Sequence, residues 1–424
     1  MVRLAVPHAA TAFADQALVS GANFLVMVAV GRCATPADFA LFSLAYTVAV
    51  FIGGMHTGLV LQPLGMLLPE RASGEKASYL AALVRLHMTA LPPLLVAAAV
   101  AWVIAPHGDL IAWTVVATWC RLAQENERRT AYALHDSRRA LAIDAAACLP
   151  MAAIAGMLIG LRPSISANTG LAVLAGTSLL GIAAGRMLLA TSRAATAMPL
   201  GPLLREHWHV GRWLVAGSVM CLLADYLYPF LVAGYLGLEE TALLAAARSV
   251  ISAGNVAING MDAYAGPRLR AIRVHEGLDA LRRAALRFAA ILLLILGCIC
   301  LPLMIAPRVI MEITFGPHYG DGAWILVAFV GIFLIRAVNK IFGLMLLALK
   351  RPSSGFIAIC INSVVTVLAG PPLVRHFGLK GVVAALAVNA LVILIVMAAG
   401  TWRAWRQDCA ESESQPVPGL PDVN

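Results

Sequence analysis

Apolar runs long enough to cross a lipid bilayer recur from residue 9 to residue 402 with only brief polar breaks, and this repetition limits the chain to a membrane fold. Of its 424 residues, 61% are hydrophobic and 12% charged, with a mean hydropathy of +0.84. A span needs about 20 apolar residues to cross roughly 30 Å of hydrocarbon, and inside lipid its backbone must satisfy its own hydrogen bonds. Helices follow, because a β-barrel would show short alternating segments instead. The pattern predicts twelve spans, at residues 9–30, 38–68, 79–104, 110–134, 141–161, 170–191, 211–235, 241–265, 284–307, 322–349, 354–374 and 380–402. Asp15, Gln16 and Asn23 interrupt the first apolar run, which therefore reads as a retained helix and not as a signal peptide.

Lys and Arg bias sets the expected orientation. The inner loops and tails collect clusters such as Arg71 with Lys76, Arg138 with Arg139, and Arg268, Arg270 and Arg273, while the outer side keeps Arg32, Arg162, Arg308, Arg375 and Lys380. By the positive-inside rule both termini are cytoplasmic. The formal net charge of +9 is then mostly topology, and nucleic acid is not an expected partner. The eight cysteines lie in predicted helices, at their ends or in the tail, and neither a disulfide framework nor a metal site is expected of them.

The link at 192–210 falls near the middle of the chain, which suggests two six-helix bundles, 1–191 and 211–402, followed by a disordered cytoplasmic tail at 403–424. Gly31–Phe42 (GRCATPADFALF) and Gly234–Ala245 (GYLGLEETALLA) form outer turns of matching length at equivalent places in the two halves. Six is an even number, so such repeats are parallel, related by an axis along the membrane normal. The expected fold class is thus an all-α polytopic membrane protein of about 12 transmembrane helices in two six-helix bundles. No outer loop is long enough to carry a catalytic domain, and GxxxxGK[ST], HExxH and G-x-S-x-G are all absent, so the chain is not expected to be an enzyme.

Several cations lie within these apolar segments: Arg121, Arg248, Arg336 and Lys340. A charge at the bilayer centre costs at least about 2.5–3.5 kcal/mol, so such residues usually face a cavity or a partner. In the tenth span, Arg336, Asn339 and Lys340 share one face by i, i+3, i+4 spacing, and two cations stacked one turn apart repel unless an anion or an acidic helix lies opposite. In the eighth, Arg248, Asn255, Asn259 and Asp262 form one stripe, which marks either a polar cavity lining or helix packing through hydrogen bonds. The fourth carries Arg121 and Glu125 ahead of Arg128 and Arg129, allowing an Arg121–Glu125 or a Glu125–Arg129 pair. Acids inside the membrane are Asp15 in the first span, Asp144 in the fifth and Asp225 in the seventh, the last beside Tyr226, Tyr228 and Pro229. Asp225 either holds a coupling proton or Na⁺, or pairs with Arg336 or Arg248. Arg186, near the end of the sixth span, reads as snorkelling, and His56 as a packed, hydrogen-bonded histidine.

The run Asp15–Phe24 (DQALVSGANF), the outer turn from Gly31 through Ala37–Phe42, and its counterpart at Gly234–Ala245 resemble the polysaccharide flippase branch (Wzx-like) of the MATE-like MOP exporter superfamily, over essentially the whole chain. The resemblance implies a multi-pass protein of the bacterial inner membrane that moves undecaprenyl-pyrophosphate-linked oligosaccharide between leaflets by alternating access. It also implies a cationic cavity, which here falls on Arg336, Lys340, Arg248 and Arg121 by position and charge type. Asn255, Asn259 and Asn339 are then polar lining, and Asp225, Asp15, Glu125 and Asp262 coupling or structural acids. No cofactor is expected beyond a coupling H⁺ or Na⁺; the partners are the lipid-linked glycan, membrane lipids and other polysaccharide assembly proteins. Two further readings stay open: a drug or organic-cation antiporter, which needs unpaired carboxylates in its cavity, and an integral-membrane glycan polymerase or ligase, which needs a sizeable outer loop.

Overall fold

The structure, a computed structural model, describes residues 5–193, 196–351 and 353–414, with the side chains of residues 5–10, 12, 222, 259, 262, 263, 267 and 409–414 outside the description. Twelve long helices follow one another: α1 (Ala5–Cys33), α2 (Pro36–Glu70), α3 (Ser73–Ile104), α4 (Gly108–Ala133), α5 (Ser137–Leu161), α6 (Ala167–Leu188), α7 (Leu200–Tyr235), α8 (Leu238–Ser252 continuing as Asn255–His275), α9 (Gly277–Ile305), α10 (Ala323–Ala348), α11 (353–377) and α12 (379–414). Every predicted span maps onto one of them. By length and composition α1, α2, α3, α5, α6, α9, α10 and the α11–α12 segment qualify as membrane spans and α7 does so as a bent pair, whereas α4 is interrupted by charged residues and α8 by the break after Ser252 and the charges that follow it.

Side-chain exposure is inverted relative to a water-soluble fold. Val103 is 81% exposed, Leu368 71% and Leu294 69%, whereas Asp15 and Asp144 are 1% exposed. Aliphatic side chains face outward because lipid is as apolar as they are, and polar ones turn inward to find partners. The molecule is a multi-pass membrane protein.

Between neighbouring helices, contact therefore depends on small residues and shape. In α6, Gly185 lies so close to α4 that a Cβ there would stand 2.6 Å from Glu127 Cβ. Within the first half α1 packs on α5 and α4 on α6; within the second α7 packs on the α11–α12 segment, and α9 on α8 and α10. The halves meet mainly where α2 crosses α7 and α8. At that crossing Gly58 and Gly211 touch backbone to backbone, and a Cβ on Gly211 would lie 2.7 Å from the Gly58 oxygen.

The two outer turns are built differently for the same purpose. Thr35 caps α2, its hydroxyl accepting from Asp38 N at 3.1 Å and donating to Asp38 Oδ2 at 2.7 Å, while Asp38 Oδ1 accepts from Ala167 N at 3.2 Å and so ties α6 to the same corner. At the start of α8, Gly237 supplies a φ of +99° that other residues rarely adopt.

Several features depart from the sequence expectation. A π-helical turn at Thr57–Leu61 interrupts α2, and His207 Nδ1 lies 3.0 Å from the Leu59 oxygen there. Two turn residues divide α8 after Ser252. A short helix, Pro307–Phe315, fills what reads in the sequence as an outer loop; its Phe315 packs on Phe39, and Arg32 donates to the Ile313 oxygen at 2.8 Å, joining the halves at this end. The link expected at 192–210 is already helical from Leu200, and the tail expected to be disordered from 403 continues as helix to Ser414, where Arg273 Nη2 meets Asp408 Oδ2 at 2.7 Å.

Candidate functional site

A cavity of about 1090 Å³ lies at the seam, walled mainly by α2, α7, α8 and α10, with α11 and α12 also contributing. Among the described residues, three cations and one carboxylate line it: Arg248, Arg336, Lys340 and Asp225. The tenth-span face that carries Arg336, Asn339 and Lys340 borders this cavity. Arg336 pairs with Asp225 across from α7, and the pair keeps contact with the cavity, the side chains being 36% and 24% exposed.

Pro229 explains a second contact. Lacking an N–H, it leaves the carbonyl four residues earlier, that of Asp225, without its helical partner. Arg248 Nη1 donates to that oxygen at 3.1 Å and stacks on the Tyr226 ring with its guanidinium carbon 4.6 Å from the centroid. Both arginines are therefore gathered around one residue, Arg336 on its carboxylate and Arg248 on its carbonyl. Asn255 and Asn339 also line the cavity. Asn339 Nδ2 donates to the Ala390 oxygen at 2.9 Å, while its buried Oδ1 has no protein partner. Asn259 and Asp262 lie outside the described side chains.

Arg121 is not in this wall, contrary to expectation. Its Nη1 donates to Asn23 Oδ1 at 2.9 Å and its guanidinium carbon sits 5.4 Å from the Tyr46 ring, so Tyr46 stands at the cavity and Arg121 behind it. Nor do Asp15 and Glu125 reach the cavity. They meet Asp144 in the first half around Arg128, whose Nη1 lies 3.2 Å from Asp144 Oδ2 and 3.6 Å from Asp15 Oδ2, and whose Nη2 lies 3.0 Å from Glu125 Oε1. Tyr132 donates to Asp15 at 2.6 Å and Gln124 to Asp144 at 3.2 Å. Of the two pairs the sequence allows for Glu125, the one with Arg129 forms, at 2.8 Å, because Arg121 turns to Asn23.

Arg186 does not snorkel: it binds Glu127 at 2.9 Å, and Arg193 binds the same carboxylate at 2.5 Å. His56 is the packed residue expected, its Nε2 3.0 Å from His87 Nε2. Sequence reading misses Tyr46, Ser249 and Ser252 in the wall. Ser252 carries a usable signal, since it falls four residues after Arg248 and three before Asn255 on the same stripe. Among the described residues, no group of three or more His, Cys, Asp or Glu side chains is arranged to hold a metal ion.

No family model matches the chain, and no curated protein matches it in sequence. Solved structures match over nearly its full length. An inward-facing conformation of a multidrug resistance MATE family transporter of the MOP superfamily superposes with a TM-score of 0.73 at 14% identity, covering 95% of this chain and 96% of that one. The chain has the MATE fold. An outward-facing conformation of such a transporter matches at a TM-score of 0.67, 14% identity, and 96% and 97% coverage. A MOP superfamily transporter from Pyrococcus furiosus, described as having a binding pocket of reverse polarity that suggests a different function, matches at 0.57 and 14% identity, with 97% of this chain and 96% of that one covered. In this chain the cavity lies at the seam between the halves, and its described charged residues come from the second half.

Proposed function

We propose that the protein is a transporter that carries an anionic amphiphile between leaflets, specifically a polyprenyl-pyrophosphate-linked oligosaccharide, in a bacterial inner membrane. The observation that carries this reading is the charge of the cavity wall, where Arg248, Arg336 and Lys340 outnumber Asp225. A pyrophosphate presents acceptor oxygens to guanidinium donors and an ammonium, the chemistry that makes charge-assisted hydrogen bonds short and strong. With the cytoplasm negative, each negative charge moved outward gains about 2.3 kcal/mol per 100 mV, so the membrane potential favours export. Alternation of the two halves about the α2, α7 and α8 seam would expose the cavity to each side in turn. A coupling H⁺ or Na⁺, if used, has its carboxylates at Asp225 or in the Asp15, Glu125 and Asp144 group.

The transporters that share the fold favour a second reading, multidrug transport, because two of those cited are named for it. Cationic drugs need unpaired carboxylates, and the single acid in the described wall is paired with Arg336. Reconstitution in proteoliposomes with lipid-linked oligosaccharide in one leaflet decides between them. Glycan reaching the opposite leaflet, reduced about 10- to 100-fold by Arg248→Gln, supports the proposal. Extrusion of ethidium without glycan movement overturns it.

A further inference from the structure

Next to the cationic cavity lies a second, smaller one of about 310 Å³. It is cut between α2 and α7, with Val48 and Phe51 on one side and Leu227 and Phe230 on the other. Thr47 and Tyr226 line both cavities. The Thr47 hydroxyl is bound back to the Ser43 oxygen at 2.8 Å, so it offers the slot little polarity. On the lipid side Phe230 is 40% exposed and Ile52, next to Phe51, 38%. Tyr226 is thus a partition, its ring face occupied by Arg248 and its ring also bounding an apolar slot that leads toward lipid.

We infer that this slot holds the hydrocarbon chain of the same molecule whose anionic head occupies the cationic cavity, with Tyr226 and Thr47 as the threshold between head and chain; the inference rests on the anionic-cargo reading above. The ligand class is a single-chain polyprenyl phosphate or pyrophosphate. At about 310 Å³ the slot is smaller than one turn of a helix, about 10–12 Å across and 5.4 Å high, so it suits a short length of a single hydrocarbon chain. Its apolar wall ends where the cations begin, which is the division of an amphiphile with one charged end. Each methylene transferred from water to an apolar site multiplies affinity about fourfold, so even partial filling is measurable.

The test uses the purified full chain in detergent and three soluble probes, inorganic pyrophosphate, geranyl pyrophosphate and farnesyl pyrophosphate, each titrated by calorimetry. Affinity is expected to rise along the series by at least about tenfold from pyrophosphate to farnesyl pyrophosphate. Leu227→Trp and Val48→Trp, made separately, should shrink that gain below about threefold while leaving pyrophosphate affinity within about twofold, which also reports that the variant is folded. Leu227→Ser, which empties the slot instead of filling it, should lower the gain as well. Farnesyl pyrophosphate binding no tighter than pyrophosphate, or a gain that survives both tryptophan variants, overturns the inference and leaves the anionic-cargo reading standing. Dioctanoyl phosphatidate matching farnesyl pyrophosphate with the same sensitivity to Leu227→Trp overturns the single-chain assignment. Failure of pyrophosphate itself to bind the native chain overturns the underlying reading, and this inference with it.

Discussion

Charges inside the two halves are handled in opposite ways. In the first half Arg128 is enclosed, 9% exposed as a side chain, with Asp15 and Asp144 at 2% beside it and Glu125 at its other nitrogen. In the second, Arg336 and Asp225 are exposed to a cavity at 36% and 24%, and Arg248 and Lys340 bring more positive charge to the same space. An enclosed charge is neutralised by protein because nothing else can do it, whereas a charge beside a cavity can be completed by water or by a ligand. The first arrangement links helices α1, α4 and α5; the second places Arg248, Arg336, Lys340 and Asp225 around a cavity.

The difference can be broken most severely at Arg128. Arg128→Ala leaves Asp15 and Asp144 buried without their cation, a change that costs about 3–5 kcal/mol when a buried ion pair loses one partner, and thermal denaturation in detergent should show it as a large loss of stability or of folded yield. Gly211→Ala tests the seam instead: its Cβ would press on the Gly58 backbone, and a cost of about 1–3 kcal/mol should appear in the same assay. Lys340→Ala should do the reverse of Arg128→Ala, lowering anion affinity about tenfold with stability changed by less than about 1 kcal/mol. A smaller effect of opposite sign is expected for Asp225→Asn. Removing the acid frees Arg336, so pyrophosphate should bind several-fold more tightly; an Asp15→Asn variant should show no such gain, because its acid does not reach the cavity. Smallest of all, Arg121→Gln should leave anion affinity within about twofold, since Tyr46 separates it from the cavity.

What the sequence reveals and what it hides follow from the range of each interaction. Apolar length is local, so all twelve helices are legible, and so is the α10 face, where i, i+3, i+4 spacing puts Arg336, Asn339 and Lys340 on one side. Partner choice between helices is not local. Arg121 and Arg128 sit two turns apart in one helix, yet the first finds Asn23, 98 residues away, and the second finds Asp144 and Asp15. Nothing in the spacing of α4 distinguishes them. The α2 π-turn and the short helix at Pro307–Phe315 escape for a related reason: their backbone is stabilised by contacts from distant segments, His207 on Leu59 and Arg32 on Ile313. Ser252 is the residue that a longer look at one stripe recovers.

The most direct test of the cavity's character is a pair of calorimetric titrations on the purified chain, one with inorganic pyrophosphate and one with tetraphenylphosphonium, repeated on Arg248→Gln. The anion is expected to bind, Arg248→Gln to weaken it by about tenfold or more, and the organic cation to give no heat of binding. Tetraphenylphosphonium binding that disappears in Asp225→Asn, with no response to pyrophosphate, would contradict the anionic-cargo reading.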